Sequence, residues 1–350
     1  MKTKILRLDP QHFLPEDLAE AGEILRVGGL VAFPTETVYG LGANALDAEA
    51  ATKIYAAKGR PSDNPLIVHI ASEEELAPLV KCVPQMAVPL MKTFWPGPMT
   101  LIFPKSDLVP SRTTGGLDTV AVRMPSDPIA AEMIRQARVP IAAPSANVSG
   151  RPSPTKAEHV VEDMNGRIDM IIDGGQVGIG LESTIIDCTG AEPVILRPGF
   201  ISQEMLKDVC GHVGIDRASV EKPKEGERPK APGMKYRHYA PKAEMTAFHG
   251  KPEAVAERIN ALAKADEAVG KKVVVLATEE ALPLYSFGEV ICVGRRADET
   301  SVAHNLYDSL RRCDEMGADV IYSECFEETG LSRAIMNRLR KAAGYRILEV

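Results

Sequence analysis

The chain has 350 residues, of which 45% are hydrophobic and 25% charged, and its formal net charge is −7. This length favours two globular domains, and the acidic balance argues against a protein that mainly coats nucleic acid. No segment reaches the roughly 18 consecutive apolar residues of a membrane helix, and the N-terminus lacks the apolar run of a signal peptide. We therefore expect a cytoplasmic protein with no membrane attachment.

The first predicted elements are a strand, KILRL, and a helix that ends at a Gly-Gly pair. A buried strand, LVAF, follows, and Pro34 ends its ladder because proline offers no N–H. In the extended segment after it, a period of two predicts that Thr35, Thr37 and Tyr39 share one face, with Glu36 on the other.

A helix and a strand then place ionisable residues at their ends. Asp47 is predicted to cap the helix AEAATKIYAAK, and Lys58 extends the core-facing stripe of this helix from its last turn. A lysine in that position either snorkels to solvent or meets an anion. Gly59 ends the helix, and the next strand, LIVHI, carries His69 on the same face as Ile67.

The rest of the first half contains short strands and few helices. Helices are predicted around residues 76–91 and 130–136. The strand TVAVRMP carries Thr119 and Arg123 on one face, and the later strands are VPIAAP, IDMIIDGG, STIIDC and VILRPG. This pattern predicts a mixed, curved sheet rather than a regular βαβ repeat.

A Pro-, Lys- and Arg-rich stretch between Asp216 and Lys242 predicts a linker. We place the first domain at residues 1–212, the linker at 213–242 and the second domain at 243–350. Beyond the linker, continuously apolar strands alternate with amphipathic helices, which is typical of a small doubly wound parallel α/β domain.

Polar side chains recur on one face of the first-domain strands, and we interpret this as a concave face that holds a ligand. An unpartnered buried polar group costs about 1–3 kcal/mol, so a dry core lined this way would be hard to stabilise. Taken singly, Lys58 and Arg60 also fit a solvated helix end, His69 a structural histidine and Arg197 a surface ion pair. The recurring residues are Thr35, Thr37, Tyr39, His69, Thr119, Arg123, Ser145, Asn147, Ser183 and Arg197.

Several familiar catalytic motifs are absent from the sequence. It contains no Walker-type phosphate loop, no GxGxxG that opens a helix, no nucleophile elbow, no HExxH and no CxxC among its six cysteines. We therefore predict no protein-bound metal. The chemistry expected is positioning and charge neutralisation by side chains rather than covalent catalysis.

Seven ordered segments resemble the YrdC-like family of L-threonylcarbamoyl-adenylate synthases: PTETVYGLG, KGRPSDNPLIVHI, FWPGPMTLIF, AVRMP, APSANVSGRPSPT, ESTIID and ILRPG. APGMKYRHYAP followed by an α/β domain is similar to the two-domain form of this family. The resemblance implies a YrdC-like twisted mixed sheet with a concave ligand face, plus a smaller Rossmann-like parallel domain. It also implies that L-threonine, bicarbonate and ATP give threonylcarbamoyl-AMP and pyrophosphate. Partner proteins would use the product to modify an adenosine next to the tRNA anticodon.

The resemblance also assigns residues to each substrate. Lys58 and Arg60 are the expected catalytic groups, because cations neutralise charge that develops during attack on phosphorus. The ATP side comprises Lys58, Arg60, Asn64, Thr119, Ser145, Asn147, Ser153, Arg197 and His238. The threonine side comprises Thr37, His69, Arg123, Ala143 through its backbone, and Ser183. Mg²⁺ is expected to accompany ATP, held by phosphate and water.

The linker is expected to close over the filled site, with Tyr236 or His238 reaching the ligands, because the product is a reactive mixed anhydride. The alternative is an inert spacer. The second domain is expected to support this lid, with regulation or partner docking as the alternative, and a weak direct contact with tRNA is left open. Two other functions stay open at this point. A double-stranded RNA-binding or ribosome-maturation module would need a broad basic surface, and a carbamoyl transferase with another acceptor would normally carry further segments.

Overall fold

The structure is a computed structural model that describes residues 2–217, 231–232 and 238–350. Of these, the residues within 1–149, 153–178 and 182–235 form one compact unit, and those within 150–152, 179–181 and 236–350 form a second. The predicted domain limits remain a prediction, since much of the linker lies outside the described residues. No helix in the described ranges is long and apolar enough to span a membrane.

The described residues of the first unit form an eleven-stranded mixed sheet in the order β1-β8-β2-β3-β7-β4-β6-β5-β9-β10-β11. The strands are β1 (Lys4–Arg7), β2 (Val31–Phe33), β3 (Gly40–Asn44), β4 (Ile67–His69), β5 (Met99–Pro104), β6 (Thr119–Arg123), β7 (Ile141–Ala142), β8 (Met170–Asp173), β9 (Thr184–Asp187), β10 (Val194–Arg197) and β11 (Gly214–Ile215). The sheet contains parallel pairs, such as β4 with β6, and antiparallel pairs, such as β5 with β6. The mixed sheet is the one predicted.

Helices cover much of this sheet. They are α1 (Ala19–Arg26), α2 (Ala48–Lys58), α3 (Ala87–Phe94), α4 (Pro128–Ala137), α5 (Ala157–Met164) and α6 (Gln203–Cys210). As predicted, Asp47 caps α2 by accepting from the amides of Glu49 and Ala50, and Gly59 ends it with a φ of 63°. The helix predicted over residues 76–91 is wrong: two 3₁₀ turns, Glu73–Glu75 and Ala77–Leu79, precede α3. Pro78 and Pro84 explain this break, because proline offers no amide donor.

The segment after β2 also differs from its prediction. Residues 36–38 form a bend, and residues 35–39 belong to no strand. The Thr35 hydroxyl lies 2.8 Å from that of Thr37, donates to Val38 O at 2.7 Å and so takes the place of a strand partner. The Tyr39 hydroxyl does not join the two threonine hydroxyls as predicted and instead donates to Gly175 O at 2.7 Å. Burial raises the pKa of Tyr39.

The two faces of the sheet are buried differently. Alternate residues of β2 enter separate cores, Ala32 on the side of α2 and Val31 on the side of α1 and α4. Val68 of β4, Val122 of β6 and Leu101 of β5 lie in the same core as Ala32. The opposite side of these three strands carries a smaller apolar cluster that no helix contributes to in the described residues. Ile67, which shares a face with His69, lies in this cluster, so the ligand face that the sequence predicts would be on this side.

The second unit is a five-stranded sheet in its described residues, all parallel, in the order β14-β13-β15-β12-β16. Its strands are β12 (Glu244–His249), β13 (Val273–Thr278), β14 (Glu289–Gly294), β15 (Val320–Glu324) and β16 (Ile347–Glu349), and its helices are α7 (Pro252–Ala268), α8 (Glu299–Glu315) and α9 (Ser332–Ala342). The predicted parallel α/β domain is confirmed. The sequence did not indicate β16, a three-residue edge strand.

Candidate active site

Strand register brings four polar residues into one row, three of them predicted to bind threonine and one next to these. His69 of β4 pairs with Arg123 of β6, and Arg123 pairs with Thr100 of β5. The Thr100 hydroxyl lies 2.7 Å from that of Ser183, which immediately precedes β9. Paired residues of adjacent strands point to the same side and lie about 5 Å apart. The row therefore joins three of the residues predicted to bind threonine.

Arg123 forms an ion pair that the sequence reasoning missed. Its Nη2 atom lies 2.8 Å from Oε2 of Glu36, and the two side chains are only 5% and 14% exposed. The strand period predicts Glu36 on the opposite face from Thr35 and Thr37, and the bend at residues 36–38 turns it toward β6 instead. Burial raises the pKa of Asp127, the N-cap of α4, to about 6, and the Glu36 carboxylate adds to this shift.

His69 is held neutral next to this ion pair. Burial lowers its pKa to about 3, and the positive charge of Arg123 acts in the same direction. Its Nδ1 atom lies 3.2 Å from Ile67 O, and its ring meets that of Phe33 edge-on. A neutral imidazole can both donate and accept a hydrogen bond, which suits the hydroxyl of an amino acid.

We expect the C2–H proton NMR signal of His69 to stay constant from pH 5 to pH 8, since its pKa lies far below this range. An ordinary histidine titrates near 6.5, so a shift in this window would contradict the assignment. The His69→Gln spectrum identifies the signal. In the unfolded chain His69 binds a proton below about pH 6.5, whereas in the folded chain it stays neutral down to about pH 3. His69 therefore lowers the free energy of unfolding as the pH falls from about 6.5 to 3.

Lys58 anchors a second group of residues. Its side chain is 1% exposed, and its Nζ atom donates to the backbone oxygens of Ser145 and Asn147. The Ser145 hydroxyl donates to Oδ1 of Asn147 at 2.5 Å. Three residues predicted on the ATP side therefore contact one another.

The segment over residues 143–147 joins the two groups. The amide of Ala143 donates to Ile67 O at 2.8 Å, so this end lies against the strand that carries His69. The other end binds Lys58, and Ser145 forms a bridge with Gly40 at the start of β3. The predicted threonine and ATP residues thus meet along one short stretch of backbone.

Arg60 and Asn64 lie in the turn between α2 and β4. Arg60 donates from Nη2 to Pro65 O at 3.1 Å, and the Asn64 side chain is buried. Within the described residues, Oδ1 of Asn64 receives no hydrogen bond. A buried amide oxygen of this kind is a ready acceptor for a ligand.

Arg197 and Ser153 lie near Ser183, at one end of the row, whereas Thr119 lies four residues before Arg123 on β6 and pairs with Pro104. Arg197 donates from Nε and Nη2 to Ser183 O at 3.1 and 2.9 Å, and from Nη2 to the Ser183 hydroxyl at 3.1 Å. Ser153 donates to Oε1 of Glu182 at 2.5 Å, a partner that the sequence reasoning did not single out. Thr119 begins β6, on the same side as Arg123.

The linker residues are only partly described. His238 belongs to the second unit, where it is buried with its ring centre 5.5 Å from that of Tyr239. Its place on the ATP side stays a prediction, and Tyr236 lies outside the described residues. Across the described ranges, no three His, Cys, Asp or Glu side chains are grouped to hold a metal ion.

Comparison with known proteins gives matches across both units. The Sua5_yciO_yrdC family model, described as Telomere recombination, matches residues 23–199, and the model described as Threonylcarbamoyl-AMP synthase, C-terminal domain, matches residues 201–344. Proteins named Threonylcarbamoyl-AMP synthase from Bacillus subtilis (strain 168) and Pyrococcus abyssi (strain GE5 / Orsay) are 51% and 53% identical to this chain. The matches cover 99% and 94% of this chain, and 100% and 95% of the relatives.

A solved structure agrees over the same length. The crystal structure of P. abyssi Sua5 complexed with L-threonine has a TM-score of 0.93 and 50% identity, and the match covers 100% of both chains. Two family models and relatives at about half identity therefore account for nearly all of the sequence. The chain belongs to the threonylcarbamoyl-AMP synthase family.

Proposed function

We propose that the first unit joins L-threonine, bicarbonate and ATP into threonylcarbamoyl-AMP. The observation that best supports this is the segment over residues 143–147, which contacts both the strand of His69 and the Lys58 ammonium. Threonine and bicarbonate first give N-carboxy-threonine and water. Its new carboxylate then attacks the α-phosphorus of ATP, and pyrophosphate leaves. The P. abyssi relative in complex with L-threonine supports the amino-acid half of this site.

Threonine is held by the row on the concave face. The Arg123 guanidinium binds the α-carboxylate as a fork, which is a strong and directional charge-assisted interaction. Neutral His69 and the Thr37 and Ser183 hydroxyls supply hydrogen bonds to the rest of the molecule, and the Ala143 backbone lines the pocket. Selection of threonine over serine rests on one methyl group, worth about 1–3 kcal/mol.

ATP is held beside it by the Lys58 group. Lys58 and Arg60 neutralise charge that develops on the phosphates, and Lys58 is already fixed by two backbone oxygens before the substrate arrives. A preorganised donor is worth about 3–4 kcal/mol in a transition state, so two of them supply roughly 10⁴-fold or more. Asn64, Thr119, Ser145, Asn147, Ser153, Arg197 and His238 complete the ATP side.

Mg²⁺ would accompany ATP. It prefers oxygen ligands and retains several waters, so phosphate oxygens can supply its contacts without a protein cage. When bound, the ion would compensate phosphate charge, and Lys58 and Arg60 would orient the triphosphate.

The linker over residues 213–242 closes the filled site and shields the anhydride from water. Two of its described residues support this role. Ala231 is buried in the apolar cluster with Ile67 and Ala121 on the concave side of the sheet. Nη1 of Arg197 lies 3.5 Å from Pro232 O. The second domain supports this lid, and the product passes to partner proteins that modify the tRNA adenosine.

Replacing Arg123 by methionine is expected to raise the KM for L-threonine about 10- to 100-fold, because a charged hydrogen-bond partner of the α-carboxylate is lost. The KM for ATP should change little. Arg135→Met on α4, where the side chain is 56% exposed, is the matched control. Equal changes in both KM values would contradict the assignment.

Release of pyrophosphate from ATP tests the proposed reaction. The full chain should release it only when L-threonine and bicarbonate are both present. Release that does not depend on threonine would contradict the proposal. Binding of double-stranded RNA without any pyrophosphate release would favour the RNA-binding alternative.

A further inference from the structure

The ion pair between Glu36 and Arg123 is more than the fold requires. A buried ion pair contributes little net stability, because removing both charges from water offsets their attraction. An apolar pair of similar volume would fill the same space. The two side chains are nevertheless nearly buried, with Nη2 and Oε2 2.8 Å apart.

The pair is also incompletely hydrogen-bonded. Among the described residues, no well-aligned hydrogen bond reaches either carboxylate oxygen of Glu36, or Nε or Nη2 of Arg123. The 2.8 Å approach is therefore a close charge contact rather than an aligned bond. Both members retain bonding capacity for a third group, and buried polar groups normally use theirs.

The predicted threonine pocket lacks an acceptor for the substrate's positive charge. At neutral pH an α-amino acid carries an ammonium group one carbon away from its carboxylate. None of the residues assigned to the amino acid is negatively charged: they are Thr37, His69, Arg123, Ala143 and Ser183. A buried ammonium group without an anionic partner is strongly disfavoured. Glu36 has a carboxylate in direct contact with Arg123, the residue predicted to bind the α-carboxylate.

We propose that Glu36 binds the ammonium group of the amino-acid substrate and so selects α-amino acids over acids that lack the amine. The inference rests on the proposed role of Arg123 in binding the α-carboxylate. A zwitterionic amino acid complements both charges of the pair. Its carboxylate binds the Arg123 guanidinium, and its ammonium group binds the Glu36 carboxylate, which no longer contacts Arg123. In the absence of substrate, Glu36 and Arg123 neutralise each other. An acid without an amine would displace Glu36 from Arg123 and leave it without a positive partner.

Calorimetry on the full chain tests this role with two ligands, L-threonine and its 2-hydroxy analogue, in which a hydroxyl replaces the ammonium group. The unmodified chain should bind threonine more tightly. Glu36→Gln should weaken threonine about 10- to 100-fold, the value of a charged hydrogen-bond partner. The same variant should bind the hydroxy analogue as tightly as the unmodified chain or more tightly, because no carboxylate competes for Arg123. Glu20→Gln, at an exposed ion pair with Lys4, is the matched control.

The outcomes separate this inference from the proposed function. If the unmodified chain binds no threonine, the proposed function itself fails before any variant is measured. If Glu36→Gln keeps the full preference for threonine, the inference is overturned while the proposed function stands. ATP binding and thermal unfolding check that the variant folds. Should it not fold, Glu36→Asp decides: greater weakening of threonine than of the analogue supports the inference, and equal weakening of both indicates a structural role and overturns it.

Discussion

Replacing Lys58 by alanine is expected to lower kcat about 10²–10³-fold, the cost of removing one preorganised donor from a transition state. Lys58 is buried, and its ammonium group is oriented by the backbone oxygens of Ser145 and Asn147. Alanine removes the charge and leaves these two oxygens without that donor. We therefore expect a modest loss of thermal stability beside the loss of turnover. The measurement is steady-state pyrophosphate release with saturating threonine and bicarbonate.

Lys53→Ala is the matched control, because it removes a lysine from the same helix on its exposed side. Lys53 donates to Gly28 O, away from the predicted ATP residues. It should retain normal turnover. Near-normal turnover of Lys58→Ala in a folded variant would remove Lys58 from the catalytic assignment. Arg60→Ala is expected to show a loss of the same size for the same reason.

Truncation after Gly211 is expected to abolish synthesis while the first domain stays folded. The cut removes the linker, and with it Ala231 and Pro232, which lie on the concave side of the sheet. Without this cover, water reaches the mixed anhydride. The measurement is formation of threonylcarbamoyl-AMP by the purified fragment, with threonine binding as the test of an intact site.

A second fragment tests whether the loss of β11 alone explains the result. Residues 214–215 form β11, which pairs with β10, so a cut after Gly211 also removes an edge strand. A fragment that ends at Arg217 keeps β11 and lacks the later linker. Both fragments should bind threonine and fail to make product. Full activity from either fragment would contradict the lid.

Local signals explain the parts of the fold that the sequence predicts well. Asp47 and Gly59 bound α2 as expected, because capping depends on residues within one turn. The apolar strands of the second unit are likewise read from their own composition. The extended strand predicted after β2 does not form, because the Thr35 hydroxyl donates a hydrogen bond to Val38 O within the same bend. Alternation of residue types carries no sign of such a contact.

Site residues are harder to predict when their role depends on register. The family resemblance predicts that His69, Arg123 and Ser183 bind the amino acid. Only the strand pairing shows that Thr100 lies in the same row. Glu36 was missed because its partner lies on a distant strand. The available signal was the position of Glu36 between Thr35 and Thr37, just after a buried strand. The strand period placed its side chain on the wrong face.

The proposed reaction places the carbon of bicarbonate between the threonine nitrogen and the phosphate of AMP. Mass spectrometry of the adenylate formed from ¹³C-bicarbonate, L-threonine and ATP tests this directly. We expect one adenylate that carries threonine, AMP and a single ¹³C atom, with equimolar pyrophosphate. Threonyl-AMP without the label, formed equally well when bicarbonate is left out, would show that the amino-acid carboxylate attacks phosphorus and would rule out the proposed reaction.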